Sequence, residues 1–404
     1  QLREVLGDDA QSPLYIETAH RRGYRFIGQV SEGMSRRGAE LQVEESALPL
    51  PAPSLQSQLF IAAPSSSRVL GRESALAKMK GWLEQALRAE RQVIFVTGEP
   101  GIGKTTVVKA FMDQASAAGN LWIARGQCLE QYGAGEPYLP VLDGLSRLCR
   151  GTEGERVVGL LRQHAPTWLA QMPSLVPAAE RESLMHETLG ATRERMLREM
   201  AEAVEALTAI NPLVLVLEDL HWSDYSTLDL ISYLARRRDA ARLMLIGTYR
   251  PVEVVVSDHP LKGVKRELQA HDLCRELPLE YLSEETVAQY LGLRFPDHEF
   301  PALLARMIYQ RTEGNPLFML NVVNYLLDEN VIVEREGRWL LPGTLAGIEH
   351  GVPENIRQLI ERQIERLEPE EQRVLEGASV VGMECSAVAI AAGLNEDITR
   401  IEGH

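Results

Sequence analysis

The sequence predicts an α/β protein in which helices cover both faces of a mostly parallel sheet. Three observations favour this class. Short apolar runs alternate with helical patterns over residues 68–281, one of these runs enters a glycine-rich turn that opens a helix, and strands nearly stop after residue 282. Strands that alternate with helices are typical of parallel sheets, because each helix returns the chain to the start of the next strand.

The individual elements follow from local patterns. A helix is predicted from Arg72, because apolar residues recur at helical spacing on one face: Leu76, Met79, Leu83 and Leu87. Four apolar runs predict buried strands: QVIFVT (92–97), LWIAR (121–125), LVLVL (213–217) and LMLIGT (243–248). A long helix is expected over 187–210, a helical run from LSEETVAQYLGL onward, and a hairpin at VIVEREGRWLL. A final amphipathic helix aligns five apolar residues: Ile356, Leu359, Ile360, Ile364 and Leu367.

Changes in composition divide the chain into segments. A stretch rich in Pro, Ser and Ala predicts a linker between a small N-terminal piece and the α/β region. The chain starts with Gln in what reads as the middle of a domain, so we interpret it as part of a longer protein. The expected segments are 1–31 (N-terminal piece), 32–67 (linker), 68–281 (α/β core), 282–351 (helical lid) and 352–404 (a further small domain).

Charge and cysteine usage limit the chemistry. The 404 residues carry a formal net charge of −15, so most of the surface should repel nucleic acid and anionic membranes, and DNA contact needs a local basic patch. No run approaches the roughly 18 apolar residues that span a bilayer. The four cysteines are far apart and form no CxxC pair, which favours a reduced, metal-free, cytoplasmic protein.

The glycine-rich turn lies in the stretch VIFVTGEPGIGKTTVVKAF. It contains G-x-x-x-x-G-K-[ST], and glycines allow several backbone N–H groups to converge on a phosphate at the positive end of the next helix. The pattern predicts a P-loop NTPase core that binds ATP or ADP with Mg²⁺, with Lys104 at the β- and γ-phosphates and Thr105 on the metal. The predicted contact residues are Gly98, Glu99, Pro100, Gly101, Ile102, Gly103, Lys104, Thr105 and Thr106.

A second apolar strand ends in acid, in the stretch LVLVLEDLHWSD. Carboxylates at the end of a strand beside the phosphate loop suit a Mg²⁺ site and an attacking water. By position, Glu218 would hold the water shell of the metal and Asp219 would orient the water. Adjacent strand residues point to opposite faces, so the reverse assignment stays open.

The strand LMLIGTYR places Arg250 at its end. A guanidinium can bind two phosphate oxygens at once, so Arg250 is predicted to sense the γ-phosphate and, with Lys104, to be catalytic. The run Arg236–Arg238 could serve as an arginine finger, but cations at the negative end of a helix are the favoured interpretation. His221 and Trp222 either line the site or pack in the core.

These motifs, in this order, resemble the signal-transduction ATPases with numerous domains (STAND), a branch related to AAA+ proteins. VLGRESAL resembles the hhGRE motif of that family, which implies that Arg72 contacts the adenine side. EGNPLF (313–318) resembles its G-x-P motif, which implies that Pro316 packs near the adenine from the lid. Many relatives have Asp where this chain has Glu218. The resemblance covers residues 68–404 and implies that a winged helix begins near 352.

The opening stretch LREVLGDD…PLYIETAHRRGYRFIGQV resembles the C-terminal end of an OmpR-type winged-helix DNA-binding domain. The resemblance implies that Leu2–Leu6 end the recognition helix and that Tyr15–Thr18 and Tyr24–Ile27 are strands of the wing. Cations at a hairpin tip suit insertion along a phosphate-lined groove. The tip would hold Arg21, Arg22 and Gly23, and the predicted DNA-contacting residues are Arg21, Arg22 and Arg25.

Together these features predict the ATP-binding, slowly hydrolysing switch of a DNA-binding transcriptional regulator. The expected partners are the nucleotide and DNA, the latter through the complete winged helix of the longer protein; no membrane contact is expected, and nucleotide-dependent self-association is open. Two alternatives stay open as well: an AAA+-type remodelling ATPase that turns over continuously in a ring, and a small-molecule kinase that uses the same phosphate loop.

Overall fold

The computed structural model of the chain describes two compact units, Gln1–Ala63 and Pro64–His404. Among the described residues, no helix is both long and apolar enough to cross a membrane. The described residues are 16–19 and 23–26 (backbone), 69–119, 121–130, 136–335, 337–342, 369–381, 386–394 and 398–402, with positions 361, 364, 367 and 396.

The first unit contains one antiparallel hairpin, formed by β1 (Ile16–Ala19) and β2 (Gly23–Phe26). The predicted strand pair is therefore present, with bounds shifted by one residue at each end. The predicted tip is wrong in one respect, because Gly23 pairs with Ala19 and begins the second strand. The predicted recognition-helix end, Leu2–Leu6, lies outside the described residues.

The second unit is built on a five-stranded sheet in which every described pair of neighbouring strands is parallel. The strand order is β4-β5-β6-β3-β7, so the strand before the glycine-rich turn is separated from the acid-ending strand by one neighbour. The predicted parallel sheet is confirmed. Its strands are β3 (Gln92–Thr97), β4 (Trp122–Gln127), β5 (Leu213–Glu218), β6 (Leu243–Tyr249) and β7 (Arg275–Pro278).

Both faces of the three central strands are buried. Val93 and Phe95 of β3 belong to one apolar cluster, whereas Ile94 and Val96 belong to a second cluster on the opposite face. Strands with two buried faces read as continuous apolar runs, which explains why the sequence located β3, β5 and β6 to within one residue.

Helices cover each face of the sheet. On one face lie α1 (Glu73–Leu87) and α2 (Lys104–Ala118). The helices packed on the other face are α3 (Leu139–Cys149), α4 (Gly154–His164), α5 (Pro166–Ala170), α6 (Ala178–Thr188), α7 (Arg193–Ile210), α8 (Tyr225–Arg236), α9 (Pro251–Val256) and α10 (Leu261–Ala270), of which α6 reaches the core through a small satellite cluster. Two short 3₁₀ turns, Pro173–Leu175 and Leu220–Trp222, complete this part of the chain.

Three sequence expectations for this region need correction. The long helix expected over 187–210 is two helices, because the chain turns at 189–190 and Thr192 caps α7 by accepting a hydrogen bond from the N–H of Arg195. Leu87, expected on the buried face of α1, is 43% exposed. The edge strand β7 was not predicted, because only one of its residues, Leu277, is buried.

After the sheet comes the segment predicted as a helical lid, called the lid below, which has its own apolar core. Its elements are α11 (Glu284–Arg294), α12 (Ala302–Thr312), α13 (Pro316–Asp328), β8 (Val333–Arg335) and β9 (Arg338–Leu340). The predicted hairpin is the antiparallel pair β8–β9, and Trp339 packs edge-on against Phe295. The described residues end with α14 (Pro369–Val381), α15 (Ala387–Leu394) and α16 (Ile398–Glu402).

The predicted amphipathic helix of 356–367 lies mostly outside the described residues. Of its five aligned residues, Ile364 and Leu367 are described; Ile364 is 41% exposed and Leu367 is half-buried. Cys128, Cys149 and Cys274 are free and buried. Burial raises the thiol pKa of Cys149 and of Cys274 to about 11, so these thiols stay protonated at neutral pH and are poor nucleophiles.

Candidate functional site

The turn between β3 and α2 is a loop that glycines alone can form. Gly98, Gly101 and Gly103 have φ values of 153°, 76° and 94°, in the region that other residues rarely adopt. A Cβ atom on Gly98 would lie 2.9 Å from Cγ2 of Ile102. The loop therefore curls back over the start of α2, whose N-terminal N–H groups have no intrahelical acceptor and can receive an anion.

Lys104 is the first residue of α2 and is buried. Its ammonium group donates hydrogen bonds to the carbonyl oxygens of Gly98 at 2.8 Å and Glu99 at 3.1 Å. Burial is the main cause that lowers the pKa of Lys104, and the nearby charge of Arg250 lowers it further, while Asp219 opposes the shift. The ammonium thus lies in the loop, and both Arg250 and Asp219 act on it electrostatically.

Glu218, the last residue of β5, connects the phosphate loop to the neighbouring strand. Its Oε2 accepts a hydrogen bond from the hydroxyl of Thr105 at 2.9 Å, and its Oε1 accepts one from Nε of Arg125 at 2.5 Å. The Glu218 side chain is 4% exposed, so this carboxylate is buried with two partners. Arg125 was not singled out from the sequence. Its contact with Glu218 depends on the pairing of β4 with β5, and no local sequence motif predicts that pairing.

Asp219 turns away from its neighbour, since it has a left-handed backbone with φ of 56°. Its N–H donates to the hydroxyl of Thr248 at 3.0 Å, and its Oδ2 accepts from the side-chain amide of Gln127 at 3.3 Å. Burial raises the pKa of Asp219, and the positive charge of Arg250 partly offsets this. Glu218 therefore faces Thr105, and Asp219 faces Gln127.

Arg250 follows β6 and forms an ion pair with Glu253, in which Nη1 lies 2.7 Å from Oε1. Its guanidinium also lies over the ring of Trp222, with Cζ 5.4 Å from the ring centroid. The second oxygen of Glu253 lies 2.9 Å from Nε2 of His221, whose side chain is fully buried. The two residues differ in position. His221 is buried, as the core interpretation expects, and Trp222 contacts Arg250, as the interpretation that it lines the site expects.

Arg72 is buried and forms two hydrogen bonds to backbone carbonyl groups. It donates from Nη2 to Ile102 at 2.8 Å and from Nη1 to Glu280 at 2.7 Å. Burial lowers the pKa of this guanidinium, with Glu280 opposing the shift. Arg72 therefore ties the phosphate loop to the segment that follows β7.

The N-terminal end of α13 contacts the phosphate loop from the lid. Asn315 caps this helix by accepting from the N–H groups of Leu317 and Phe318, and its amide donates to the carbonyl of Pro100 at 3.1 Å. The N–H of Leu317 also donates to the carbonyl of Gly101 at 3.2 Å. Pro316, the predicted adenine contact, lies between these residues at the first position of the helix.

The remaining candidate residues are not part of this cluster. Arg236 pairs with Glu267, and Arg237 donates two hydrogen bonds to Glu205, each at 2.9 Å. Arg236 is the last residue of α8, where the helix-end interpretation expects a cation, and both arginines are paired with carboxylates of this chain. Of the predicted DNA contacts, Arg21 and Arg22 lie outside the described residues, and Arg25 lies in β2 opposite Glu17.

The residues present fit a magnesium nucleotide. The hydroxyl of Thr105 and the carboxylate of Glu218 bring two oxygen donors together 2.9 Å apart, and oxygen is the ligand that Mg²⁺ prefers. Lys104 and Arg250 supply positive charge at the same end of the sheet. Gly101 packs against the lid, since an added Cβ would lie 2.8 Å from Cβ of Leu317. A Cβ on Gly103 would have Cβ of Thr106, 4.0 Å away, as its nearest described neighbour, so the backbone of Gly103 can approach a phosphate closely.

Comparison with known proteins finds one family model that matches the first part of the second unit. Residues 68–246 match the family model described as the AAA ATPase domain. An uncharacterized protein of Rhizobium meliloti (strain 1021) is 24% identical over 271 residues, which are 64% of this chain. The match spans a quarter of that relative's length.

Similar solved structures come from several organisms. The Aeropyrum pernix Orc1 protein in complex with DNA is 14% identical, with 84% of each chain covered and a TM-score of 0.41. A Pyrococcus horikoshii STAND protein with a tetratricopeptide repeat sensor is 14% identical, with 79% of this chain and 37% of that chain covered and a TM-score of 0.42.

Proposed function

We propose that this chain, which carries an AAA+-related P-loop ATPase domain, is the ATP-binding and slowly hydrolysing switch of a DNA-binding transcriptional regulator. The hydrogen bond from Thr105 to Glu218 carries the nucleotide part of the proposal. It brings the hydroxyl that would bind the metal next to a strand-end carboxylate, and this pairing supports magnesium-dependent nucleotide binding.

Each residue at this end of the sheet then has a distinct role. Lys104 and the N–H groups of 101–106 would bind the phosphates, Thr105 would bind Mg²⁺, and Glu218 would hold the water shell of the metal, whose charge would neutralise part of the phosphate charge. Asp219 accepts hydrogen bonds from the attacking water. It is displaced from Glu218 by its left-handed backbone, and its carboxylate is steered by Gln127. Arg250 reads the terminal phosphate.

The lid supplies the element that switches. A ligand shifts a conformational equilibrium only through a difference in affinity for the two states, and near-complete switching needs roughly 10⁴-fold, or about 5.5 kcal/mol. The contacts of Asn315 and Leu317 with the carbonyls of Pro100 and Gly101 couple lid position to the conformation of the phosphate loop. The presence of a γ-phosphate near Arg250 therefore favours one lid arrangement over another.

The DNA-binding part of the proposal rests on the N-terminal resemblance. The hairpin β1–β2 has the antiparallel pairing that a wing needs, and Arg21 and Arg22 fall in its connection. An isolated hairpin is marginal in water. DNA binding is thus assigned to the complete winged helix of the longer protein.

The test is nucleotide affinity of Lys104→Ala. Loss of a cation that bonds the phosphates should weaken ATP binding by about 10- to 100-fold, from the ~1.5–3 kcal/mol that such charged hydrogen bonds contribute. Equilibrium dialysis with labelled ATP measures the affinity. Lys109→Ala is the matched control, because Lys109 is an exposed lysine of the same helix. Equal ATP affinity in Lys104→Ala and wild type would refute the nucleotide assignment.

A further inference from the structure

Glu253 is the one acidic side chain described in contact with the guanidinium of Arg250. The contact uses a single corner of the guanidinium, Nη1, and is the sole hydrogen bond described for this side chain. An arginine has five N–H donors in a fixed fork, so the remaining donors of Arg250 stay available for another acceptor. The pair is partly exposed, with Arg250 29% and Glu253 36% accessible.

Two further side chains restrain this ion pair. The ring of Trp222 lies beside the guanidinium, with its centroid 5.4 Å from Cζ, and a cation–π contact of this kind restrains the guanidinium. His221 lies 2.9 Å from the second oxygen of Glu253, although neither of its ring nitrogens meets hydrogen-bond geometry with a described residue. A buried imidazole without hydrogen-bond partners is costly and needs an explanation. The imidazole lies against the carboxylate that holds Arg250, so it limits the movement of that carboxylate.

We propose that Glu253 is a positioning residue that presents Arg250 to the terminal phosphate and thereby sets the preference of the site for ATP over ADP. The inference rests on the proposed nucleotide function and adds a determinant of its specificity. Glu253 acts through Arg250, and it does not itself touch the nucleotide.

Presentation fits the geometry better than competition between Glu253 and phosphate. A competing carboxylate would occupy the fork of the arginine with two parallel hydrogen bonds, whereas Glu253 contacts one corner of it, and its other oxygen lies 2.9 Å from Nε2 of His221. A free arginine side chain carries about 2 kcal/mol of rotamer entropy, much of which is lost on binding a phosphate. An arginine side chain that Glu253 and Trp222 already hold in place loses less rotamer entropy, so it binds the phosphate more tightly.

The experiment is a double-mutant cycle on nucleotide preference, defined as the dissociation constant for ADP divided by that for ATP. Glu253→Gln, Arg250→Ala and the double variant are measured in the full chain by equilibrium dialysis on ice. A partly exposed ion pair contributes up to ~1 kcal/mol, so Glu253→Gln should lower the preference about two- to fivefold. In the Arg250→Ala background the same substitution should leave the preference unchanged.

Three results would overturn the inference: an unchanged preference in Glu253→Gln, a raised preference, or an equal fall in the Arg250→Ala background. The first two would show that Glu253 is neutral or competes with phosphate, and the third that it acts without Arg250. Glu253→Asp, which keeps the charge, should retain more of the preference than Glu253→Gln.

Glu299→Gln is the matched control, because Glu299 forms a similar ion pair with Arg338 at 2.8 Å in the lid. This substitution should leave the nucleotide preference as in wild type. Melting temperatures of all variants exclude a loss of folding. Failure of the proposed function is seen separately, since it would appear as normal ATP binding by Lys104→Ala.

Discussion

The phosphate loop and the acidic end of β5 lie at the same edge of the sheet, but they are held in different ways. The carbonyls of Pro100 and Gly101 accept hydrogen bonds from the lid, so the loop is held mainly through its backbone. Glu218 is held by the side chains of Thr105 and Arg125. The loop side should therefore be sensitive to added atoms, which force backbones apart, and the acidic side to removed charge.

The largest effect is expected for Gly314→Ala on the loop side, directly before the cap of α13. Gly314 has φ of 75°, and an added Cβ would lie 2.1 Å from the carbonyl oxygen of Leu282. Backbone strain and overpacking together should lower the free energy of unfolding by about 2–4 kcal/mol. Urea unfolding followed by circular dichroism measures this.

Gly263→Ala is the control for that substitution. Gly263 lies in α10, and a Cβ there would meet nothing within 4 Å. Alanine should therefore stabilise this helix by up to ~1 kcal/mol. Equal stability of the two variants would show that the lid backbone yields easily and that the comparison between the two sides is wrong.

A smaller effect is expected for Arg125→Gln on the acidic side. The substitution removes the cation 2.5 Å from a buried carboxylate and leaves the Thr105 hydroxyl as its partner. Breaking a fully buried pair costs about 3–5 kcal/mol, but Arg125 is 38% exposed, so a loss of about 1–2 kcal/mol is expected. The same urea experiment measures it.

Arg338→Gln is the matched control for Arg125→Gln. Arg338 pairs with Glu299 at 2.8 Å with both side chains exposed, so its loss should change stability by less than about 1 kcal/mol. If Arg125→Gln were as stable as this control, Thr105 alone would suffice to hold Glu218. The position of Glu218 would then depend on the hydrogen bond from Thr105 alone.

The sequence predicted the elements whose signal is local. The strands β3, β5 and β6 were located because both of their faces are buried, and the phosphate loop because its glycines and Lys104 all lie within the short stretch 98–104. The edge strand β7 was missed because its sequence, RELP, buries a single apolar side chain. The break between α6 and α7 was missed because helical spacing continues on both sides of the turn.

The contacts that organise the site were harder to predict. Arg125 and Gln127 reach the acids only because β4 pairs with β5 in one register, with Gln127 opposite Glu218. Asn315 and Pro100 are 215 positions apart in the chain, and no local pattern joins them. The sequence thus identified the candidate acids but not the side chains that fix their direction.

The smallest effect is expected at Asn315, where two functions of one side chain can be separated. Asn315→Ala removes both the helix cap and the donor to Pro100, whereas Asn315→Ser keeps a capping oxygen and loses the amide donor. Alanine should cost about 1 kcal/mol of stability and serine a few tenths. Both should weaken ATP binding about two- to fivefold, because one hydrogen bond of ~0.5–1 kcal/mol between lid and loop is lost in each.

Asn321→Ala controls for a general effect on α13, because the Asn321 amide donates to Leu317 within the helix and makes no described contact with the loop. It should bind ATP as wild type does. A serine variant with wild-type affinity would mean that the amide of Asn315 serves only its own helix. Coupling would then pass through the N–H of Leu317 alone, a backbone group that side-chain substitution leaves in place. The lid would in that case be coupled to the phosphate loop by a hydrogen bond between backbone groups. Glu218, by contrast, is held by hydrogen bonds from two side chains.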